Sequence, residues 1–410
     1  MVVKMRIQEL KIIRNSLSTL ENWCRSHNYE GWDIYDGLNN PKFKFKIGNP
    51  YLSIFLIQFN KYSPLNFRKV LGIKKGKDLK GLSLFLQGYS LLYSLEKKNI
   101  YKKIGDTLLK DIINKSLIDK YNNHCWSSHY YPYISTEKEL LSPNIPDIIG
   151  TANVIKALSF YYIYKKEDPQ IPEIIKSSLD FMTNKLFYHS DDIAYIAYTP
   201  KNTKRIVPNA SAVVVDALSS AYEVLKDPHI ISLSNELITG ILKLQLTNGS
   251  WPYSVTTPDR KVRYQHDFHQ GFIINGLISS LSLLDESIKE NVLKALYRAI
   301  EFYKTTFIGG QIAYFRYPKR YPIDIHNQAQ GIITFSKLYK TFGNIEYLKF
   351  AKKIAIWTIK NMQDPSGYFY THRWPFMINK IPYMRWGQAW MLLALSSLLT
   401  ATSKKGGWDL

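Results

Sequence analysis

Residues 263–270 read Arg263, Tyr264, Gln265, His266, Asp267, Phe268, His269 and Gln270, the densest run of proton-transfer chemistry in the sequence. Two imidazoles three residues apart, with a carboxylate between them and a phenol before them, can exchange protons near neutral pH. A similar set, Asp324, His326 and Asn327, follows further along, and Asn209 precedes it. Asp147 lies in Pro-Asp-Ile-Ile-Gly, with Glu137 and Glu139 upstream. Asp147 suits a helix cap as well as a proton donor, and its position alone does not separate the two roles. The candidate catalytic set is therefore Asp147, Asp267, His266, Tyr264, His269 and Asn209. His266 and His269 have no clear third partner at metal-ligand spacing, so neither a metal nor another cofactor is expected.

Candidate binding groups surround these. Basic residues precede four apolar stretches: Lys201, Lys204 and Arg205, then Arg260, Lys261 and Arg263, then Arg316, Lys319 and Arg320, and finally Arg373 and Arg385. Arginine grips a carboxylate with two parallel hydrogen bonds and helix N-termini favour anions, so this arc suits a uronate, sulfate or phosphate on a saccharide. A solvated basic surface is the alternative. Aromatic runs at 31–35, 125–133, 193–198, 249–255, 311–317 and 367–374 supply Trp126, Trp251 and Tyr253. Such rings suit the apolar faces and hydroxyl rims of sugars, or else pack the loops together. Gln270, Gln388, Trp386, Trp390, Asp324 and His326 complete the expected binding set.

Holding groups from 126 to 390 in one place needs a repeated scaffold, and the sequence contains one. Gly88, Ala152, Ala212, Gly271, Gly331 and Ala389 each open a similar apolar stretch and lie 64, 60, 59, 60 and 58 residues apart. The stretches predict helices near 82–96, 148–164, 210–226, 268–284, 326–341 and 385–400. More amphipathic helices precede them, near 5–23, 102–120, 171–187, 230–246, 286–307 and 346–362. Helices apolar all round must be buried and those with a polar face can lie outside, which predicts an all-α (α/α)6 toroid, a single domain over 1–410 with inner and outer rings. Every aromatic run precedes an inner helix, so all six gather at one end as short, strand-like loops. Small residues at the repeated position allow inner helices to approach closely, whereas Gln87, Gln270, Gln330 and Gln388 either line the lumen or satisfy backbone groups.

The chain has 410 residues, 54 Lys or Arg and 33 Asp or Glu, and 45% of it is hydrophobic, which excludes disorder and points to an anionic partner. Two cysteines, Cys24 and Cys125, are too few for a disulfide scaffold and fit a reducing compartment. Neither an export signal nor a membrane span is recognisable, and a cytoplasmic location is expected. The basic residues sit in cavity-edge loops without a nucleic-acid motif, so no nucleic-acid partner is expected. No Asp-rich or Asp-Cys-His zinc set of the helical terpene cyclases and prenyltransferases is present. Oligomeric state is not encoded in any of these features.

The run Arg385, Trp386, Gly387, Gln388, Ala389, Trp390 resembles the Arg-Gly-Gln-Ala-Trp stretch of unsaturated glucuronyl hydrolases in the six-hairpin glycosidase superfamily, with Trp386 interposed. Gly-Ser-Trp-Pro-Tyr-Ser-Val at 249–255 resembles a segment in the toroid of glucuronyl epimerases. Together with Asp267-Phe268-His269-Gln270-Gly271-Phe272, the chain is similar to toroid proteins of capsule and exopolysaccharide biosynthesis. The resemblance implies glycan processing. The expectation is a carbohydrate-active enzyme on an acidic, uronate-containing oligosaccharide or polysaccharide, a glycoside or unsaturated-uronyl hydrolase of cell-surface polysaccharide metabolism. A polysaccharide lyase or uronate epimerase, and a non-catalytic glycan-binding scaffold, are the alternatives.

Overall fold

The computed structural model describes residues 2–40, 49–135, 139–165 and 168–403. Glu137 lies outside the described residues. The helices, in chain order, are α1 (Val2–Ser26), α2 (Pro50–Tyr62), α3 (Leu79–Glu96), α4 (Asn99–Ile113), α5 (Ile118–Tyr121), α6 (Ile148–Lys165) and α7 (Gln170–Leu186). There follow α8 (Pro208–Leu225), α9 (Pro228–Lys243), α10 (Phe268–Ser280), α11 (Glu286–Thr305), α12 (Ile325–Phe342), α13 (Ile345–Met362) and α14 (Trp390–Thr402).

The rings follow from how apolar residues are spread. α4 buries Tyr101, Ile104, Gly105, Leu108, Leu109 and Ile112, one stripe at helical spacing, and turns its lysines outward. α6 is buried on every side through its first two turns and beyond. Inner helices pack in sequence, α3 on α6, α6 on α8, α8 on α10, α10 on α12 and α12 on α14, and α14 closes the ring on α3. Outer helices α4, α7, α9, α11 and α13 cover them, while α1 packs on α13 and α14. This is the all-α (α/α)6 toroid. Small residues set the helix spacing: a Cβ on Gly88 would stand 2.4 Å from Leu392 Cδ2, and one on Gly276 would stand 2.4 Å from the Ala212 carbonyl oxygen.

Four features depart from the expected elements. The amphipathic helix expected to 120 stops at Ile113, where Asn114, Lys115 and Ser116 turn back onto the last carbonyls, and α5 is a separate turn. The fourth inner helix ends at Ser280 and not at 284. The sixth begins with a π-helical turn, Met384–Ala389. α2, inserted in the first hairpin, has no counterpart in the repeat and was not anticipated.

The loops are held by one recurring device. Thr151 Oγ1, Ser211 Oγ, Gln270 Oε1, Gln328 Oε1 and Gln388 Oε1, on five successive inner helices, accept the loop amides of Trp126, Ile196, Trp251, Ala313 and Phe369 at 3.1, 3.2, 2.9, 2.7 and 2.7 Å. Short antiparallel pairs stiffen the same end, including Phe187–Ser190 with Ile193–Ile196 and a three-stranded set at Ile323–Asp324, His372–Arg373 and Ile378–Asn379.

Candidate active site

The inner helices enclose a cavity of about 270 Å³ that opens at the loop end. Their periodicity stacks its lining in tiers. At the helix starts stand Lys80, Asn209, Phe268, His269, His326, Arg385 and Trp386. One turn deeper are Asn153, Phe272, Gln330 and Trp390, and below them Lys156, Asp216 and Asn275. Seven residues of helix rise separate the upper and lower tiers, about 10 Å.

The floor is an ion cluster. Lys156 Nζ and Lys337 Nζ both donate to Asp216, the latter at 2.7 Å, and Lys337 also reaches the Asn275 carbonyl at 3.1 Å. Burial pushes the Asp216 carboxyl upward, but the two lysines outweigh it and hold it well below its usual range.

The upper tier holds two differently prepared imidazoles. Asp267 caps α10 by accepting the His269 amide at 3.1 Å, and its Oδ1 also accepts a hydrogen bond from His269 Nδ1–H at 2.5 Å. Gln265 Nε2 donates to its other oxygen at 2.6 Å. Burial raises the Asp267 carboxyl, yet the His269 and Gln265 donors bring it below its ordinary value, so it is an anion that leaves His269 Nε2 as the free nitrogen. His326 is stacked between Phe268 and Trp390, with ring centres at 3.9 and 4.5 Å, and meets the edge of Trp386 at 4.6 Å. Burial, with Lys80 nearby, drives its pKa far below normal and keeps it neutral.

Cations surround these rings. Lys80 lies over Phe272 and Trp390, 5.7 and 5.2 Å from their centres, and burial next to Arg385 brings its ammonium down to about 7. Arg385 grips Asp33 with two bonds of 2.8 and 2.6 Å, and its Nε lies 3.4 Å from Asp78. At the mouth Arg263 stacks over Tyr253 at 4.6 Å, and Arg205, Arg263 and Arg316 together oppose the upward push of burial on the Tyr253 phenol. Glu139 is tied down by Thr199 and Asn202 at 2.8 and 2.7 Å. Seven Lys or Arg line the cavity against four carboxylates, which favours an anionic occupant.

Several polar atoms of the lining are buried without a protein partner: Asn209 Nδ2, Asn275 Oδ1, Gln330 Oε1, Trp390 Nε1 and both ring nitrogens of His326. Buried polar groups are normally bonded, so this mixed set of donors and acceptors suits a ligand rich in hydroxyls. Among the described residues no group of three or more His, Cys, Asp or Glu side chains forms a metal-ligand set.

The cavity brings together Asn209, Tyr253, Arg263, Asp267, His269, Arg316, Asp324, His326, Arg385, Trp386 and Trp390 from the residues expected on sequence. Asp324 caps α12 through the His326 amide and accepts the Trp386 indole, both at 2.9 Å. The others lie elsewhere. Asp147 is buried as the cap of α6, taking Ser128 N and Oγ at 2.6 Å and Gly150 N at 2.8 Å. Trp126 and Trp251 are core residues whose indoles donate to Ile112 O and Ile241 O at 3.0 and 2.8 Å, satisfying carbonyls at the ends of α4 and α9. Gln270 and Gln388 bridge loop backbone, donating to Trp251 O and Phe369 O as well as accepting their amides. His266 pairs with Ser250 Oγ at 3.2 Å against Phe302, and Tyr264 is exposed. Arg320 stacks on Tyr321, and Arg373 donates to Asn361 O at 3.1 Å.

Sequence reasoning missed Lys61, Lys80, Lys156, Asp216 and Asn275, and it left Gln330 between lining the lumen, which it does, and satisfying backbone groups. For all of these but Lys61, which sits on α2, the available signal was a polar side chain inside an otherwise apolar inner helix.

Neither a protein-family model nor a curated protein sequence matches the chain. Solved structures do. The unsaturated glucuronyl hydrolase of Bacillus sp. GL1, responsible for the degradation of glycosaminoglycan, aligns over 97% of both chains with a TM-score of 0.64 at 11% identity. The cellobiose 2-epimerase of Spirochaeta thermophila aligns over 80% of this chain and 87% of its own, with a TM-score of 0.55 at 13% identity. A D-mannose isomerase aligns over 79% and 87%, with a TM-score of 0.58 at 16% identity. The likeness establishes the (α/α)6 toroid as the fold of this chain.

Proposed function

We propose that this protein is a saccharide-processing enzyme that moves a proton at a carbon of an acidic sugar, as in epimerisation or elimination beside a uronate carboxylate. The observation that carries this reading is the pair of imidazoles supported by Phe268: neutral His326, with unpartnered nitrogens, and His269, with its tautomer set by Asp267. Arg205, Arg263 and Arg316 hold the carboxylate at the mouth, and the unpartnered amides below them receive hydroxyls. One imidazole removes the proton; the C–H electron pair moves toward the carboxylate, where Lys80 in its ammonium form offsets the growing charge. In elimination the imidazolium so formed gives that proton to the leaving oxygen as the bond beside it breaks; in epimerisation a proton from solvent reaches the opposite face of the carbon.

Glycosidic hydrolysis by paired carboxyl groups fits less well. It needs a protonated acid facing a second carboxylate across the bond. Asp147 is away from the cavity, Asp267 is held as an anion by His269, and Asp216 is held by two lysines. One observation supports hydrolysis of an unsaturated uronide as a second reading: the fold match to the Bacillus hydrolase spans nearly the whole chain. The neighbours are named for epimerases, an isomerase and hydrolases of sugars, which supports a sugar-processing activity of residues 1–410 acting as one domain. Buried free thiols at Cys24 and Cys125 support a reducing, cytoplasmic setting, and a role in cell-surface polysaccharide metabolism belongs to the same reading.

The test is incubation with uronate oligosaccharides in deuterated water. Deuterium retained on a sugar carbon, or a new conjugated absorbance, supports proton transfer. New reducing ends without either signal overturn it, and loss of absorbance from an unsaturated uronide establishes the second reading instead.

A further inference from the structure

The first hairpin carries a segment that the other five lack. From Gly37 to Lys77 the sequence holds nine Lys or Arg and no Asp or Glu, and α2 lies within it. One face of α2 belongs to the cavity, which Gln58, Lys61 and Tyr62 line. Another face turns to solvent, with Tyr51, Phe55 and Phe59 exposed by 69, 63 and 43% at four-residue spacing. Phe55 and Phe59 stand 6.2 Å apart, and Phe59 stacks at 5.4 Å on Phe67, so the stripe is continuous. Beside it the hairpin tip at Phe376 is fully exposed, and that hairpin is tied to the end of α2 by Asn379 Nδ2, which donates to Ser63 O at 3.1 Å.

A contiguous aromatic face of this kind marks an interaction surface. Charge selects its occupant. Lys69, Lys74 and Lys75 are exposed just beyond the stripe, and no acidic residue lies in the segment to balance them. A second copy of a chain with a net charge of +21 would set like charge against like. We propose that α2 docks the mouth of the toroid on a bilayer rich in anionic headgroups, with its rings at the boundary between headgroups and acyl chains and its lysines on the phosphates. No helix of the described residues is long and apolar enough to cross a membrane, and the attachment is peripheral. Because α2 also lines the cavity, docking sets the cavity mouth at headgroup level.

The test is flotation of the full chain with vesicles of phosphatidylcholine alone and of phosphatidylcholine mixed with phosphatidylglycerol. The chain should float with the mixed vesicles only, and added salt should loosen it. The double variant Phe55→Ser/Phe59→Ser should weaken partition at least about tenfold, and Lys69→Glu/Lys74→Glu/Lys75→Glu should abolish it. All five positions are exposed, and an unchanged thermal melt verifies folding. Absence of flotation with mixed vesicles overturns the proposal, as does equal flotation by the aromatic variant. A wild-type dimer that the aromatic variant converts to monomer would assign the face to a second copy and overturn it as well.

Discussion

His269 Nδ1 stands 2.5 Å from Asp267 Oδ1, and the same carboxylate oxygen caps the helix on which His269 sits. One residue therefore sets both the position of the ring and which of its nitrogens faces the cavity. Asp267→Asn keeps a capping oxygen but removes the charge that favours Nδ1–H. Turnover should fall about 10²–10⁴-fold with little change in thermal stability. Steady-state kinetics beside a thermal melt separates the two effects, and equal loss of both would mean that Asp267 acts only as a cap.

His326 is neutral in the folded chain and takes up a proton on unfolding once the pH drops below its unfolded pKa. Its folded pKa is depressed, so its contribution is fully present above about pH 6.5 and is lost as the pH falls below that. His326→Phe fills the gap between Phe268 and Trp390 with a ring that cannot be protonated. Denaturant midpoints between pH 7 and about 5 should fall less steeply for the variant than for the wild type, while activity is lost.

Lys80 loses its proton near pH 7 because burial outweighs its carboxylate neighbours. Affinity for a uronate should weaken as the pH rises through about 7, since the cavity then gives up one positive charge. Calorimetric titration across that range should show the limb in the wild type. Lys80→Met should bind more weakly and without the limb, whereas Lys80→Arg should keep tight binding to higher pH. An unchanged limb in the Met variant would place the titrating group elsewhere.

Asp216→Asn leaves Lys156 and Lys337 facing each other under the cavity. Removing one partner of a buried ion cluster costs about 3 kcal/mol, and the denaturant midpoint should drop accordingly. Lys337→Met leaves Asp216 still paired with Lys156 and should cost less.

The six-unit period could be read from sequence because the packed rings tolerate only Gly or Ala at the repeated position, where a side chain on Gly88 would meet Leu392, one on Gly271 would meet Gln330 and Tyr303, and one on Gly331 would meet Phe307. α2 is outside that period and left no comparable trace. The candidate site was legible where a residue type has one role inside an apolar ring, as for His326 and Arg385. It was not legible where the same type also serves the scaffold. Gln330 faces the cavity while Gln328, two residues earlier, holds the Ala313 amide, and nothing in their spacing distinguishes them. Lys80 and Lys156 were passed over because lysine is usually a surface residue, although each sits in a helix with almost no other surface.

Trp126 brings this ambiguity to a measurable point. As a sugar platform its loss would abolish binding; as a core residue its indole N–H satisfies Ile112 O at the end of α4, and Asp147 beside it caps α6. Trp126→Phe keeps most of the apolar volume and removes the indole donor, leaving Ile112 O with the Lys115 amide, which costs about 1 kcal/mol. Asp147→Ala removes a cap and costs about 1 kcal/mol. Both variants should melt earlier yet keep kcat/KM within about twofold at a temperature where they are folded, because neither side chain reaches the cavity. Trp390→Phe is the converse: it retains a ring against His326 but removes the unpartnered indole donor, so affinity should fall with little change in melting. A loss of kcat/KM in Trp126→Phe as large as that in Trp390→Phe would return Trp126 to the binding surface.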